Sequence, residues 1–211
     1  PRHRFPEMAD AMTHSSLVIL TGAGISAESG LGTFRSRDGL WAKYDLQKVA
    51  TPRAFAADPQ MVHDFYNLRR RACLDAAPNA AHLALARLQR DWPGRFRLVT
   101  QNVDDLHERA GSTDVLHMHG ELLRARCAHC GHRWPAPEAM SPRDGCPRCG
   151  QRATRPDVVW FGEEPYHMAE ITGLAHTADI FVVIGSSGQV YPAAGMAGIA
   201  RDRGAQVYEI N

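Results

Sequence analysis

Short unbroken apolar runs alternate along this chain with longer stretches in which apolar residues recur at helical spacing. Leu17, Val18, Ile19 and Leu20 form one unbroken run, the pattern of a parallel strand buried on both faces. Residues 96–100, the run DIFVVIG at 179–185 and residues 205–210 also read as strands. Residues 115–123 are shorter and broken by His117 and His119-Gly120, and residues 158–161 are apolar up to Gly162-Glu163-Glu164. Between these runs lie helix signals. Thr51-Pro52 places an N-cap before a proline and predicts a helix over 52–57, and Asp58-Pro59 opens a longer one over 59–75, with Met61, Val62, Phe65, Leu68 and Ala72 on its apolar side. Asn79 caps residues 80–91, whose Leu83, Ala84, Ala86 and Leu88 suit a helix lying on a sheet, until Trp92-Pro93-Gly94 ends it. Residues 7–13, 168–178 and 192–203 also read as helical, with Gly204 at a C-cap, whereas 40–50 read as a loop. Strands and helices in alternation predict an α/β fold, a parallel sheet covered on both faces.

The first strand runs directly into Gly22, Gly24 and Ala27, a G-x-G-x-x-A spacing. Gly22 can take a left-handed or strained conformation, and the bare Gly24 lets backbone N–H groups approach a pyrophosphate at a helix start. An ordinary tight strand-to-helix turn has the same spacing. A plain dinucleotide fold would next supply a second strand with an acidic ribose ligand about twenty residues on. Here SRDGLWAKYD follows Arg35 and the next strong strand begins near residue 96, so a helical insertion displaces the second unit. That strand delivers Gln101, Asn102, Val103 and Asp104 at its carboxyl end, where open α/β sheets hold ligands; a turn would favour the same Asn and Asp.

Cys127-x2-Cys130 and Cys146-x2-Cys149, fifteen residues apart, have the spacing of a closed tetrahedral Zn2+ site. Four thiolates leave no position for water, so such a metal would hold the module together. Two disulfides are the alternative, disfavoured by the odd fifth cysteine and the lack of a secretion signal. His129 and His132 are close enough to act as ligands but unnecessary, and Cys73 reads as packing.

A net charge of +1 gives no argument for nucleic acid, and no apolar run reaches the length of a membrane span. The expectation is a cytoplasmic monomer. The chain starts at Pro1 without an initiator Met and stops after the strand-like AQVYEI, so both ends read as trimmed.

Together, GAGISAESG at 22–30, TFR at 33–35, TQNVD at 100–104, HG at 119–120, the two CxxC pairs, VVWFGE at 158–163, GSSGQVYPAAG at 185–195 and EIN at 209–211 resemble the sirtuins, the NAD-dependent protein-lysine deacylases. Thr33 before Phe34-Arg35, and Tyr66 with Arg69 in a Y-x-x-R pair, look most like the bacterial and mitochondrial class that removes acidic acyl groups. Gly32 stands where the family usually has Pro and Ser186 where it has Thr, and the family's final adenine-contacting segment is absent.

The resemblance implies a Rossmann-like NAD-binding domain from 1–36, 76–122 and 157–211, a cofactor loop and helical module at 37–75, and a zinc-ribbon module at 123–156. It implies removal of succinyl, malonyl or acetyl groups from lysine, giving nicotinamide, O-acyl-ADP-ribose and free lysine. His119 is then the general base, drawing a proton through the ribose hydroxyls, with Asn102 and Asp104 at the nicotinamide end, while His107 and His117 match no catalytic position and are left as structural. Gly22, Ala23, Gly24, Ser26, Glu28, Phe34, Arg35, Gln101, Gly185, Ser186, Ser187 and Asn211 would bind NAD+. An acyl-lysine peptide would enter as an added strand between Val159, Phe161, Gly162 and Glu163 on one side and Val190 and Tyr191 on the other. Tyr66 and Arg69, three apart on a predicted helix, would share a face and grip the acyl carboxylate; without the resemblance Arg69 reads as one more charge in the Arg69, Arg70, Arg71 run. Mono-ADP-ribosyl transfer from the same NAD site, or a non-catalytic NAD- and zinc-binding interaction module, are the alternatives.

Overall fold

The computed structural model describes residues 15–32 and 45–211. The expected helix over 7–13, the first part of the 40–50 loop, and Thr33, Phe34 and Arg35 lie outside the described residues. The first apolar run forms β1 (Ser16–Thr21), all six of whose residues are buried. β2 (Arg95–Thr100), β3 (Leu116–His117), β4 (Gly120–Cys127), β5 (Arg133–Pro135), β6 (Thr154–Val158), β7 (Ile180–Ile184) and β8 (Gln206–Ile210) follow. β1 is buried on both faces because it is central: the main sheet has the order β3-β2-β1-β7-β8 and all its pairs are parallel.

The helices are α1 (Leu46–Val49), α2 (Pro52–Ala57), α3 (Pro59–Asp75), α4 (Ala80–Asp91), α5 (Leu106–Arg109), α6 (Met168–Thr177) and α7 (Met196–Asp202). Val18, Leu20, Val99, Phe181 and Val183 on one face of the sheet pack on Ile171 and Ala175 of α6 and on Met196 and Ala200 of α7. Leu17, Ile19 and Leu98 on the other face pack on Ile25 and on Leu85 of α4. Among the described residues no helix is long and apolar enough to cross a membrane.

The helix starts form as the caps predict. Thr51 Oγ1 accepts the Ala54 N–H at 3.0 Å, and Asp58 Oδ1 accepts the Met61 N–H at 2.9 Å. Asn79 Oδ1 takes the Ala81 N–H while His82 Nδ1 takes the Asn79 N–H, which closes a capping box.

The inward faces differ from expectation. α3 buries Val62, Phe65, Tyr66, Arg70 and Cys73 and leaves Leu68 39% exposed; α4 buries His82 and Leu85 and leaves Leu83 46% exposed. Tyr66, Arg70 and His82 sit inside on hydrogen bonds, so counting apolar positions alone misplaces the stripe. Residues 46–49 are helical rather than loop, with Asp45 accepting the Gln47 N–H and Val49 buried in the core. The 115–123 run is not one strand. Gly120, at φ +81°, carries the chain from the main sheet into a second, antiparallel sheet of order β5-β4-β6, and a Cβ there would lie 2.1 Å from the Asp157 carbonyl oxygen. β6 ends at Val158, so 159–161 is an extended loop rather than strand. Residues 192–203 divide into a 3-10 turn, Ala193–Gly195, and α7.

α3 packs Val62, Phe65, Tyr66 and Cys73 against Leu122, Val158 and Trp160 of the second sheet and its following loop. Asn67 both donates to and accepts from the Met140 backbone, at 2.8 and 2.9 Å, and the fully buried Arg70 donates to the carbonyls of Leu122 and Glu138. The helical insertion and the cysteine module are thereby joined into one lobe.

Candidate active site

The carboxyl ends of β1, β2 and β7 open onto a cavity of about 890 Å3. That lies toward the upper end of the roughly 300–1,000 Å3 typical of ligand sites. The glycine turn after β1 and Gly185-Ser186-Ser187 after β7 form one side, Tyr66, Arg69 and residues 158–163 the other, with Gln101, Asn102, Asp104 and His119 between them. Every residue expected to bind cofactor or substrate or to act in catalysis lines this cavity, apart from Phe34 and Arg35, which lie outside the described residues.

The glycine turn differs in detail from expectation. Gly22 is extended (φ −129°), and the segment that follows, Ala23–Ser29, is a 3-10 helix. The Gly24 N–H is already donated to the Gly185 carbonyl at 2.8 Å, and Gly22 donates to Ile184 at 2.9 Å. A Cβ on Gly24 would meet Gly185 Cα at 2.7 Å, so the missing side chains let two loops interlock; the left-handed residue is Gly185, at φ +64°.

Beneath the turn lies a hydrogen-bonded floor. Asn102 Nδ2 donates to the Gly22 carbonyl at 3.1 Å and to Ser26 Oγ at 3.0 Å, and Ser26 Oγ donates to Asp104 Oδ2 at 3.1 Å. These bonds fix the Asn102 amide and leave its Oδ1 as an acceptor with no partner among the described residues. Burial pushes the Asp104 carboxyl up, against the pull of the Leu106 N–H and Ser26 bonds. Gln101 Nε2 reaches Ser186 Oγ at 3.0 Å and ties the ends of β2 and β7 together.

His119 Nδ1 lies 3.0 Å from the Gln101 carbonyl oxygen. A carbonyl only accepts, so Nδ1 carries the hydrogen and Nε2 keeps its lone pair, with no partner among the described residues. Burial lowers the pKa of the ring, against the Gln101 bond. The neutral imidazole can therefore accept a proton at Nε2. His107 and His117 are both engaged within the chain: His107 Nε2 bonds Thr21 Oγ1 at 2.9 Å, and His117 lies between the Asn102 carbonyl and Glu108.

Tyr66 and Arg69 share the face of α3 that looks into the cavity, with the guanidinium 5.6 Å from the phenol ring centre. Tyr66 Oη accepts the Trp160 indole N–H at 2.9 Å, and burial pushes the phenol pKa up, so it remains a donor. Burial lowers the pKa of Arg69, against Tyr66 and Asp104, but an arginine stays cationic. A cationic fork and a phenol at the end of one cavity can bind a carboxylate.

Along 159–163, the N–H groups of Val159, Phe161 and Glu163 go to the carbonyls of His119, Ala50 and Trp160, and that of Trp160 to Glu163 Oε2. An added strand would find carbonyls here more than N–H groups. The Glu163 carboxylate is held by Arg155 through two bonds of 2.6 and 2.9 Å.

Cys127, Cys130, Cys146 and Cys149 bring four sulfurs within 4.8 Å of one another, with Cys127–Cys149 and Cys130–Cys146 both at 3.7 Å. A tetrahedral ion about 2.3 Å from each thiolate sets its sulfurs about 3.8 Å apart, whereas a disulfide needs about 2.05 Å. The geometry fits one Zn2+ and excludes the disulfide alternative; Cys73 is a separate buried thiol pushed up to about 12 by burial.

The Sir2 family model matches residues 22–192. The chain belongs to the Sir2 family. It is 54% identical over 197 residues to an NAD-dependent protein deacylase of Caulobacter vibrioides, covering 92% of this chain and 83% of the relative. An NAD-dependent protein deacylase of Escherichia coli (strain K12) is 52% identical over 205 residues, covering 96% and 74%. A solved Sir2 homologue–NAD complex superimposes with a TM-score of 0.86 at 42% identity, covering 99% of this chain and 83% of that one. A mutant Sir2 homologue in complex with ADP-ribose reaches 0.87 at the same identity, covering 96% and 83%.

Sequence reasoning missed two supports of this Sir2 cleft. His82, fully buried, places Nε2 3.5 Å from Ser26 Oγ; its signal is the Asn79-x-x-His82 capping box. Thr100 links Thr21 Oγ1 to the Asn102 N–H at 2.8 and 3.0 Å, and nothing local distinguishes it from any strand-end threonine.

Proposed function

We propose that the chain is an NAD-dependent protein-lysine deacylase that removes succinyl and malonyl as well as acetyl groups, releasing nicotinamide, O-acyl-ADP-ribose and free lysine. The observation that carries the reading is one continuous cavity joining three features: interlocked glycine loops, the lone pair of His119 Nε2, and the Tyr66–Arg69 pair. The NAD-dependent protein deacylases at 50% identity or above support the chemistry.

Bound NAD would supply a ribose carbon with nicotinamide as its leaving group and hydroxyls to receive the acyl group. Gly22, Ala23, Gly24, Ser26, Glu28, Gln101, Gly185, Ser186, Ser187 and Asn211, with Phe34 and Arg35, would hold it. His119 takes a proton at Nε2, with Nδ1 anchored on Gln101. Asn102 orients its free Oδ1 at the reacting end, fixed from behind by Gly22 and Ser26, and Asp104 holds Ser26. The acyl-lysine chain lies between 159–163 and 190–191, and its carboxylate takes the Arg69 fork and the Tyr66 hydrogen. A closed zinc site of four cysteines keeps the lobe that carries these contacts in shape and leaves the chemistry to the cleft.

The test incubates succinyl-, malonyl- and acetyl-lysine peptides with the protein, with and without NAD, and reads products by mass spectrometry. O-acyl-ADP-ribose and free lysine are expected from all three. ADP-ribose left on the peptide would replace this reading with ADP-ribosyl transfer.

A further inference from the structure

Behind the acyl end of the cavity, Arg155, Glu163 and Trp160 form a connected set of contacts. Arg155, on β6, has a side chain only 5% exposed; Nη1 donates to Glu163 Oε1 at 2.6 Å, and Nη2 donates to Glu163 Oε2 at 2.9 Å and to the Val158 carbonyl at 2.8 Å. Its guanidinium lies 3.4 Å from the centre of the Trp160 ring. Glu163 Oε2 also accepts the Trp160 backbone N–H at 2.8 Å. Trp160 is thus held by its backbone and by one face of its ring, and it is 3% exposed.

The indole N–H, a donor only, ends on Tyr66 Oη at 2.9 Å. Tyr66 must accept there, and its own hydrogen remains available to donate. A buried ion pair is weak evidence for stability, because well-packed apolar residues of similar volume often serve as well. Two parallel bonds and a stacked ring do fix geometry.

We propose that Arg155 is a positioning residue for acyl selection: through Glu163 and Trp160 it sets the direction in which Tyr66 presents its hydroxyl to the acyl carboxylate. The proposal rests on the reading of Tyr66 and Arg69 as the carboxylate-binding pair. Arg155 does not line the cavity, whereas Glu163 and Trp160 do, so its effect must pass through them.

The test is the ratio of kcat/KM for succinyl-lysine to that for acetyl-lysine peptide, measured on one preparation of each variant, since a ratio is independent of the fraction folded. Two variants are used. Arg155→Met with Glu163→Gln removes both charges and leaves no carboxylate unpaired, and Trp160→Phe removes the indole N–H while keeping an aromatic ring. Each is expected to lower the ratio about tenfold, mainly through the succinyl KM, as the loss of one oriented hydrogen bond would. Arg69→Met is the control. If it lowers the ratio while both other variants stay within about twofold of the parent protein, the positioning role is wrong and the carboxylate pair stands. If Arg69→Met also leaves the ratio unchanged, the carboxylate pair itself falls and the proposal with it.

Discussion

His119 Nδ1 and the Gln101 carbonyl oxygen stand 3.0 Å apart, and that contact decides which ring nitrogen is basic. The hydrogen is fixed on Nδ1, so Nε2 takes up a proton only when the ring becomes charged, which burial disfavours. A base must be neutral to act, so activity is lost as pH falls through a pKa that lies below the ordinary 6.5. The acid limb of kcat/KM against pH is expected below 6.5. An acid limb above that value would contradict the neutral, buried base.

Arg69 and Tyr66 share the cavity face of α3, and a charge-assisted fork is stronger than a neutral contact. Arg69→Met is expected to lower kcat/KM for succinyl-lysine peptides by roughly 10- to 100-fold while acetyl-lysine changes little. Parallel steady-state assays check it, and equal losses on both substrates would remove the acyl-reading role.

His107 is fully buried against Thr21, its Nδ1 has no partner among the described residues, and burial lowers its pKa to about 4. The unfolded chain, near 6.5, binds more protons than the folded one between those values. Stability is therefore complete above 6.5 and declines as pH falls toward 4, by about 2 kcal/mol at pH 5 from this residue alone. His63 and His82, also lowered, act in the same direction; His117, raised by Glu108 against burial, acts in the opposite one. Urea unfolding at pH 7.5 and 5 should show a smaller pH difference in His107→Gln, which keeps a hydrogen-bonding group near Thr21. An unchanged difference would show that another group carries the acid sensitivity.

The four cysteine sulfurs are spaced for one Zn2+. Metal analysis should return about one zinc per chain, and a strong chelator should lower Tm by about 10 °C or more, since a structural site contributes folding energy directly. A zinc-free protein with the parent Tm would contradict a structural metal.

Much of this architecture is legible in the sequence because its signals are local. The run at 17–20 marks a central parallel strand, Thr51-Pro52 and Asp58-Pro59 mark helix starts, and two CxxC pairs mark the metal module. What is not legible depends on contacts between distant residues. Arg70 and His82 lie inside because carbonyls and Ser26 meet them there, which no apolar count anticipates. The packing of Gly24 against Gly185 is not legible either, since Gly185 arrives from 161 residues away in the chain. The pairing of the Glu163 carboxylate with Arg155 is likewise a contact that its motif does not announce.

The claim that the cleft couples NAD cleavage to acyl removal is tested most directly by counting both products in one reaction. With succinyl-lysine peptide and NAD, nicotinamide release and free lysine should appear in equal molar amounts, and neither without the other substrate. Lysine freed without NAD, or nicotinamide released with the acyl group still in place, would contradict it.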